Sequence, residues 1–108
     1  MPGQYILQYL IKVKELVSSG YWTLIPRKKN LDSLSNHGLL IQNVKTELLS
    51  LGLGDYESGP ELDYSYSGEI WIFKRTINNI DFYIKLKIDV ANDGTEILKC
   101  LSFHEQEV

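Results

Sequence analysis

The chain is poor in the residues that hold metals or staples. It has one cysteine, Cys100, and two histidines, His37 and His104, in 108 residues. A single thiol makes no internal disulfide, and so few soft ligands at wide spacing make no zinc site. No apolar run approaches the roughly 18 residues of a membrane span. The start, Met1-Pro2-Gly3-Gln4, lacks the basic flank of a secretory signal. A cytoplasmic protein that meets no membrane is the expectation. Phosphate-loop, dinucleotide-fingerprint, zincin and nucleophile-elbow motifs are all missing, so no cofactor and no metal are expected. Nor is there a basic excess: the net charge is −3, which argues against a surface that binds nucleic acid all over.

What is present reads as one domain, residues 1–108, with 44% hydrophobic and 23% charged residues. The charge is unevenly laid out. Residues 55–69 hold five acids (Asp55, Glu57, Glu61, Asp63, Glu69) and no Lys or Arg; the remainder has eleven bases against nine acids.

Helix patterns fill the first half. Ile6, Leu10, Val13 and Val17 recur at helical spacing, with Leu7 and Ile11 widening the stripe. Tyr21–Ile25 is β-prone and ends at Pro26, an edge strand or an extended connector. Asn30 suits the cap of a short helix over Leu31–Asn36, ended by His37-Gly38. A second strong stripe runs through Leu40, Ile41, Val44, Leu48 and Leu49. Residues 55–68, rich in Gly, Pro, Asp, Ser and Tyr, read as a long loop. Strands follow at Glu69–Thr76, Ile80–Val90 and Glu96–His104, separated by Asn78-Asn79 and Asn92-Asp93-Gly94 turns. The expected fold is α+β, with two or three N-terminal helices on one face of a three- to four-stranded, mainly antiparallel sheet.

The middle strand alternates. Phe82, Ile84, Leu86, Ile88 and Val90 point toward the helices; Tyr83, Lys85, Lys87 and Asp89 point away. Two ammonium groups and a phenol on one stripe suit a phosphate-bearing ligand, and they also suit an ordinary solvated strand face. Histidine is the side chain suited to proton exchange near neutrality, and His104 reaches the rim of that stripe if the last strand lies beside the middle one. Lys74 and Arg75 face opposite sides, so one of them joins the stripe. Arg27-Lys28-Lys29 is a compact basic cluster able to touch a nucleic-acid backbone, or simply a solvated loop. The five acids of residues 55–69 can lie across the basic stripe and compete with an anionic ligand.

A family pattern is carried by Leu48-Leu49-Ser50-Leu51, Asp55-Tyr56, Gly59-Pro60, Gly68 with Ile70-Trp71-Ile72-Phe73, Tyr83-Ile84-Lys85, and Leu101-Ser102-Phe103-His104-Glu105. In this order the chain resembles the MqsR-like toxins of type II toxin–antitoxin modules, a branch of the RelE-like ribonuclease fold, and within them the divergent branch ending in Ser-Phe-His. The resemblance implies an endoribonuclease that cuts mRNA without a metal ion (an mRNA interferase) and a cognate antitoxin as partner. Tyr83 matches the tyrosine of the family's Tyr-x-Lys strand, and His104 stands where the family has a basic residue. Ser58 stands near a family lysine, and Ile72 replaces a family glutamine. With the resemblance added, Tyr83, Lys85 and His104 are expected to be catalytic, and the basic residues already singled out, Lys87, Lys74, Arg75, Arg27, Lys28 and Lys29, to bind substrate. The rival expectations are a non-catalytic protein-binding module of the same fold, or a small nucleic-acid-binding regulator of a phage or mobile element.

Overall fold

The computed structural model describes residues 1–64, 66 and 68–107. Three helices, α1 (Gly3–Ser18), α2 (Lys28–Asn36) and α3 (Ile41–Ser50), pack on one face of a mixed sheet. Its strands are β1 (Trp22–Leu24), β2 (Tyr56–Leu62), β3 (Glu69–Ile77), β4 (Ile80–Val90) and β5 (Glu96–Glu105), in the spatial order β1-β5-β4-β3-β2. The α+β class and the N-terminal helices agree with the sequence reading. The strand count does not: there are five among the described residues, and β1 runs parallel to β5.

Both additional strands are edge strands, and each is short or irregular. β1 is the Tyr21–Ile25 segment, cut short by Pro26. β2 arises from the stretch read as a loop. Its pairing with β3 slips between Tyr56 and Ser58 and again between Ser58 and Glu61. Gly59 has φ +112°, and Pro60 lacks an amide proton, which an edge strand tolerates. Two interruptions in seven residues erase the alternation by which a strand is recognised.

The core is drawn from the expected periodicities. Ile6, Leu10, Val13 and Val17 of α1, with Val44 and Leu48 of α3, meet Phe73, Phe82, Ile84, Leu86, Leu98 and Phe103. Leu7 and Ile11 stay exposed, so the stripe of α1 is narrower than its sequence suggests. Along β4 the inward set holds for Phe82, Ile84 and Leu86, but Val90 is 63% exposed. The β3–β4 hairpin turns on Asn78 and Asn79, both at positive φ, as a two-residue primed turn requires.

α2 corrects a second expectation. It starts at Lys28, and Arg27 rather than Asn30 occupies the cap position. Asn30 lies inside the first turn and is fully buried. Its amide nitrogen donates to the carbonyls of Ile25 (2.9 Å) and Leu101 (3.1 Å), and its oxygen accepts the Phe103 N–H (2.9 Å). Ser33 accepts the N–H of Glu105. β1 reaches only Leu98–Cys100 of β5, so side chains of α2 take over where the strand partner ends. A helix thereby covers a sheet edge that would otherwise expose unpaired backbone.

Leu101, inside this bracket, is an extra residue. Leu86 pairs with Cys100 and Lys85 with Ser102, leaving Leu101 as a β-bulge. Cys100 therefore faces the core and Ser102 the other side, although they are two residues apart.

A backbone prediction follows from β2. At Gly59 a Cβ would stand 2.7 Å from the Ile70 carbonyl oxygen, and the positive φ disfavours any L side chain. Gly59→Ala should lower unfolding free energy by about 1–3 kcal/mol. Gly54→Ala, which meets nothing within 4 Å, should stay within about 0.5 kcal/mol of the parent. Urea melts of both variants make the comparison; equal midpoints would show that β2 is not held in this conformation.

Candidate functional site

Cross-strand pairing sets the side chains of the helix-free face in rows. One row is Lys74–Tyr83–His104, from β3, β4 and β5; the next is Ile72–Lys85–Ser102; the third is Ile70–Lys87–Lys99. Directly opposed residues lie about 4.5–5.5 Å apart and touch. The Tyr83 and His104 rings stack with centroids 5.5 Å apart and planes at 25°. His104 Nδ1 lies 3.0 Å from the Glu105 carbonyl. Tyr83, Lys85, Ser102 and His104 thus form a two-by-two block.

Beside this block a groove of 770 Å³ runs over the sheet, lined among others by Ile25, Arg27, Lys85, Lys87, Lys99 and Leu101. Asp63, Asp89, Ile70 and Ile97 line it as well, so its wall carries both signs of charge among apolar side chains.

Carboxylates already neutralise much of that charge. Lys87 and Lys99 face each other across β4 and β5, a like-charge pair that is unfavourable alone. Asp89 bridges them, 2.8 Å from Lys99 and 3.4 Å from Lys87. Asp63, from the segment after β2, reaches Lys87 at 2.8 Å, and the Tyr66 ring lies 5.5 Å from the same ammonium. Lys87 is only 4% exposed. It can lie so because Gly68, with a positive φ, leaves room: a Cβ there would meet Lys87 Cε at 2.9 Å. Glu57 of β2 lies 3.7 Å from Lys74. Of the four lysines on this face, Lys85 alone has no carboxylate partner among the described residues.

Burial by itself would depress the Lys87 ammonium, but hydrogen bonds and charge from Asp63 and Asp89 outweigh it and raise the pKa. Burial likewise pushes Asp89 up, and Lys99 and Lys87 more than reverse this, holding it below the ordinary carboxylate range. The Tyr83 phenol is raised, first by burial and then by the charge of Glu61. At neutral pH it therefore keeps its proton and acts as a donor.

The remaining candidate residues separate. Lys74 joins the site face. Arg75 does not: it lies on the helix side, where it donates to Glu47 (3.2 Å), Asp55 (3.0 Å) and the Ser50 carbonyl (3.2 Å). Arg27 lines the groove, whereas Lys28 pairs with Asp32 and Lys29 with Glu107, so the basic cluster is not one surface. Lys87, read from sequence as an open-face cation, is buried under Asp63. His37 closes α2, and its ring stands edge-on to Phe82. Cys100 is buried, which pushes its thiol far up, and its Sγ donates to the Ser102 carbonyl. No group of three or more His, Cys, Asp or Glu side chains among the described residues is arranged to hold a metal ion.

Two participants escape the sequence reading. Ser102 does so because strict alternation from buried Cys100 puts it in the core. Asn30 reads as a cap. The acids of residues 55–69 do reach the basic stripe, through Glu57 at Lys74 and Asp63 at Lys87.

No protein-family profile matches the chain, and no curated protein matches it.

The Asp89 cluster has a consequence in acid. A carboxylate depressed in the folded state stabilises fully above its unfolded pKa, about 3.9, and that contribution fades as pH falls through the folded value. The urea midpoint should therefore drop below about pH 4, and Asp89→Asn should flatten the drop. An acid limb of undiminished steepness in the variant would show that Asp89 does not carry it.

Proposed function

We propose that the protein is an endoribonuclease of the MqsR-like toxin type, cutting mRNA on the helix-free face of its sheet and held in check by a cognate antitoxin. The observation that carries this reading is Lys85: a cation without a carboxylate partner among the described residues, set beside a stacked phenol–imidazole pair. Cutting RNA through its own ribose asks for three things. The 2′-hydroxyl must lose a proton as its oxygen attacks phosphorus, the phosphorane must be stabilised, and the departing 5′-oxygen must gain a proton. His104, whose imidazole carries one donor and one acceptor nitrogen, serves either proton transfer. Lys85 supplies positive charge at the phosphorus. Tyr83, protonated at neutral pH, donates a hydrogen bond to a phosphate oxygen or the leaving group. Arg27 and Lys74 hold flanking phosphates, while Lys87 acts from below, through the charge balance it shares with Asp63 and Asp89. By the family likeness the reaction runs without a metal ion.

A second reading is favoured by one observation. Glu57 and Asp63 neutralise Lys74 and Lys87, which leaves a face of mixed charge suited to a protein partner. In that case the chain is a binding module and cuts nothing.

Purified protein incubated with single-stranded RNA in chelator decides between them. Cleavage leaving 2′,3′-cyclic phosphate ends is expected, and Tyr83→Phe, Lys85→Ala and His104→Ala should each lower it by about 100-fold or more while circular dichroism is unchanged. RNA neither bound nor cut would leave the module reading, and RNA bound without new ends would point to a nucleic-acid-binding regulator instead. Replacing both acids, Glu57→Gln with Asp63→Asn, should raise RNA affinity; unchanged affinity would mean that they do not compete with phosphate.

A further inference from the structure

We infer that Asn30, whose side chain bonds backbone groups of Ile25, Leu101 and Phe103, is the positioning residue that delivers His104 to the working face. The inference rests on the ribonuclease reading for its consequence in catalysis, but its geometric content stands apart. Without a bulge, residues 98, 100, 102 and 104 of β5 would share one face. Leu98 and Cys100 are fully buried against the helices, so His104 would be driven into the core. The extra residue at Leu101 reverses the parity and sets His104 opposite Tyr83. A bulge removes residues from the ladder and leaves backbone groups needing partners. Asn30 meets the backbone at and just after the extra residue: it donates to the Leu101 carbonyl and accepts from the Phe103 N–H. Its second donor bond, to Ile25, ties the same amide to the end of β1. One fully buried side chain thus bonds three backbone groups in two segments, and an amide offers both the donors and the acceptor this takes.

The test is Asn30→Asp, which keeps the acceptor for Phe103 but cannot donate to Ile25 or Leu101, with Asn30→Ser as the smaller second variant. Two readouts are taken on folded protein. Proton NMR follows the contact between the Tyr83 and His104 rings through their mutual NOE and ring-current shifts. Steady-state kinetics follow RNA cleavage. The expected result is loss of the ring contact and a fall in kcat of about 100-fold or more, with KM little changed. A residue that only stabilises the fold would lower the melting temperature and leave the ring contact and kcat per folded molecule intact, and that result overturns the inference. So does a failure of both variants to fold, since Asn30 is then a folding residue alone. If the parent protein cuts no RNA, the ribonuclease reading fails while the NMR comparison still decides the role of Asn30.

Discussion

The arrangement of the site depends on a single buried amide and the extra residue it brackets. A pleated strand allows each side chain one of two faces, and the choice propagates to its end. β5 must bury Leu98, Cys100 and Phe103, whose numbers do not share a parity, and still present Lys99, Ser102 and His104 outward. One added residue is the smallest change that satisfies both demands. The backbone groups of β5 beyond the reach of β1 sit beside α2, where Asn30 and Ser33 meet them. Edge protection and site geometry are therefore one structural device: the helix that covers the exposed side of β5 is also the one that holds the bulge.

Charge on the site face is arranged by the same economy. Four lysines on one face of three adjacent strands would repel one another. Asp89 lies within β4 itself, whereas Glu57 and Asp63 come from β2 and the segment after it. The irregularity of β2 matters here, because its slipped pairing and the glycines at 59 and 68 bring the chain close enough for Asp63 to reach a buried ammonium. Neutralisation is incomplete at Lys85. A partly buried cation beside two stacked rings is the feature of this face most suited to an anionic ligand.

The legible parts of the fold are those where pattern and environment coincide. The 3.6-residue stripe of α1, the strand limits Ile80–Val90 and the Asn78-Asn79 turn each arise from local rules, and the structure follows them. Lys85, Tyr83 and Lys74 share one face because β3 and β4 pair without interruption. β2 was illegible because two irregularities and a Gly-Pro step mask its period. Arg75 went to the helix side because Glu47 and Asp55 wait there, partners 28 and 20 residues away.

The amino-acid sequence alone determined the helices, the three long strands, the composition of the core and the alternating basic stripe, since each follows from neighbours a few residues apart. Tertiary structure alone decided that His104 faces Tyr83, that Lys87 is buried beneath Asp63, and that Asn30 serves β5 rather than its own helix. Those outcomes turn on pairing register and on contacts between segments distant in the chain, and no local pattern encodes either.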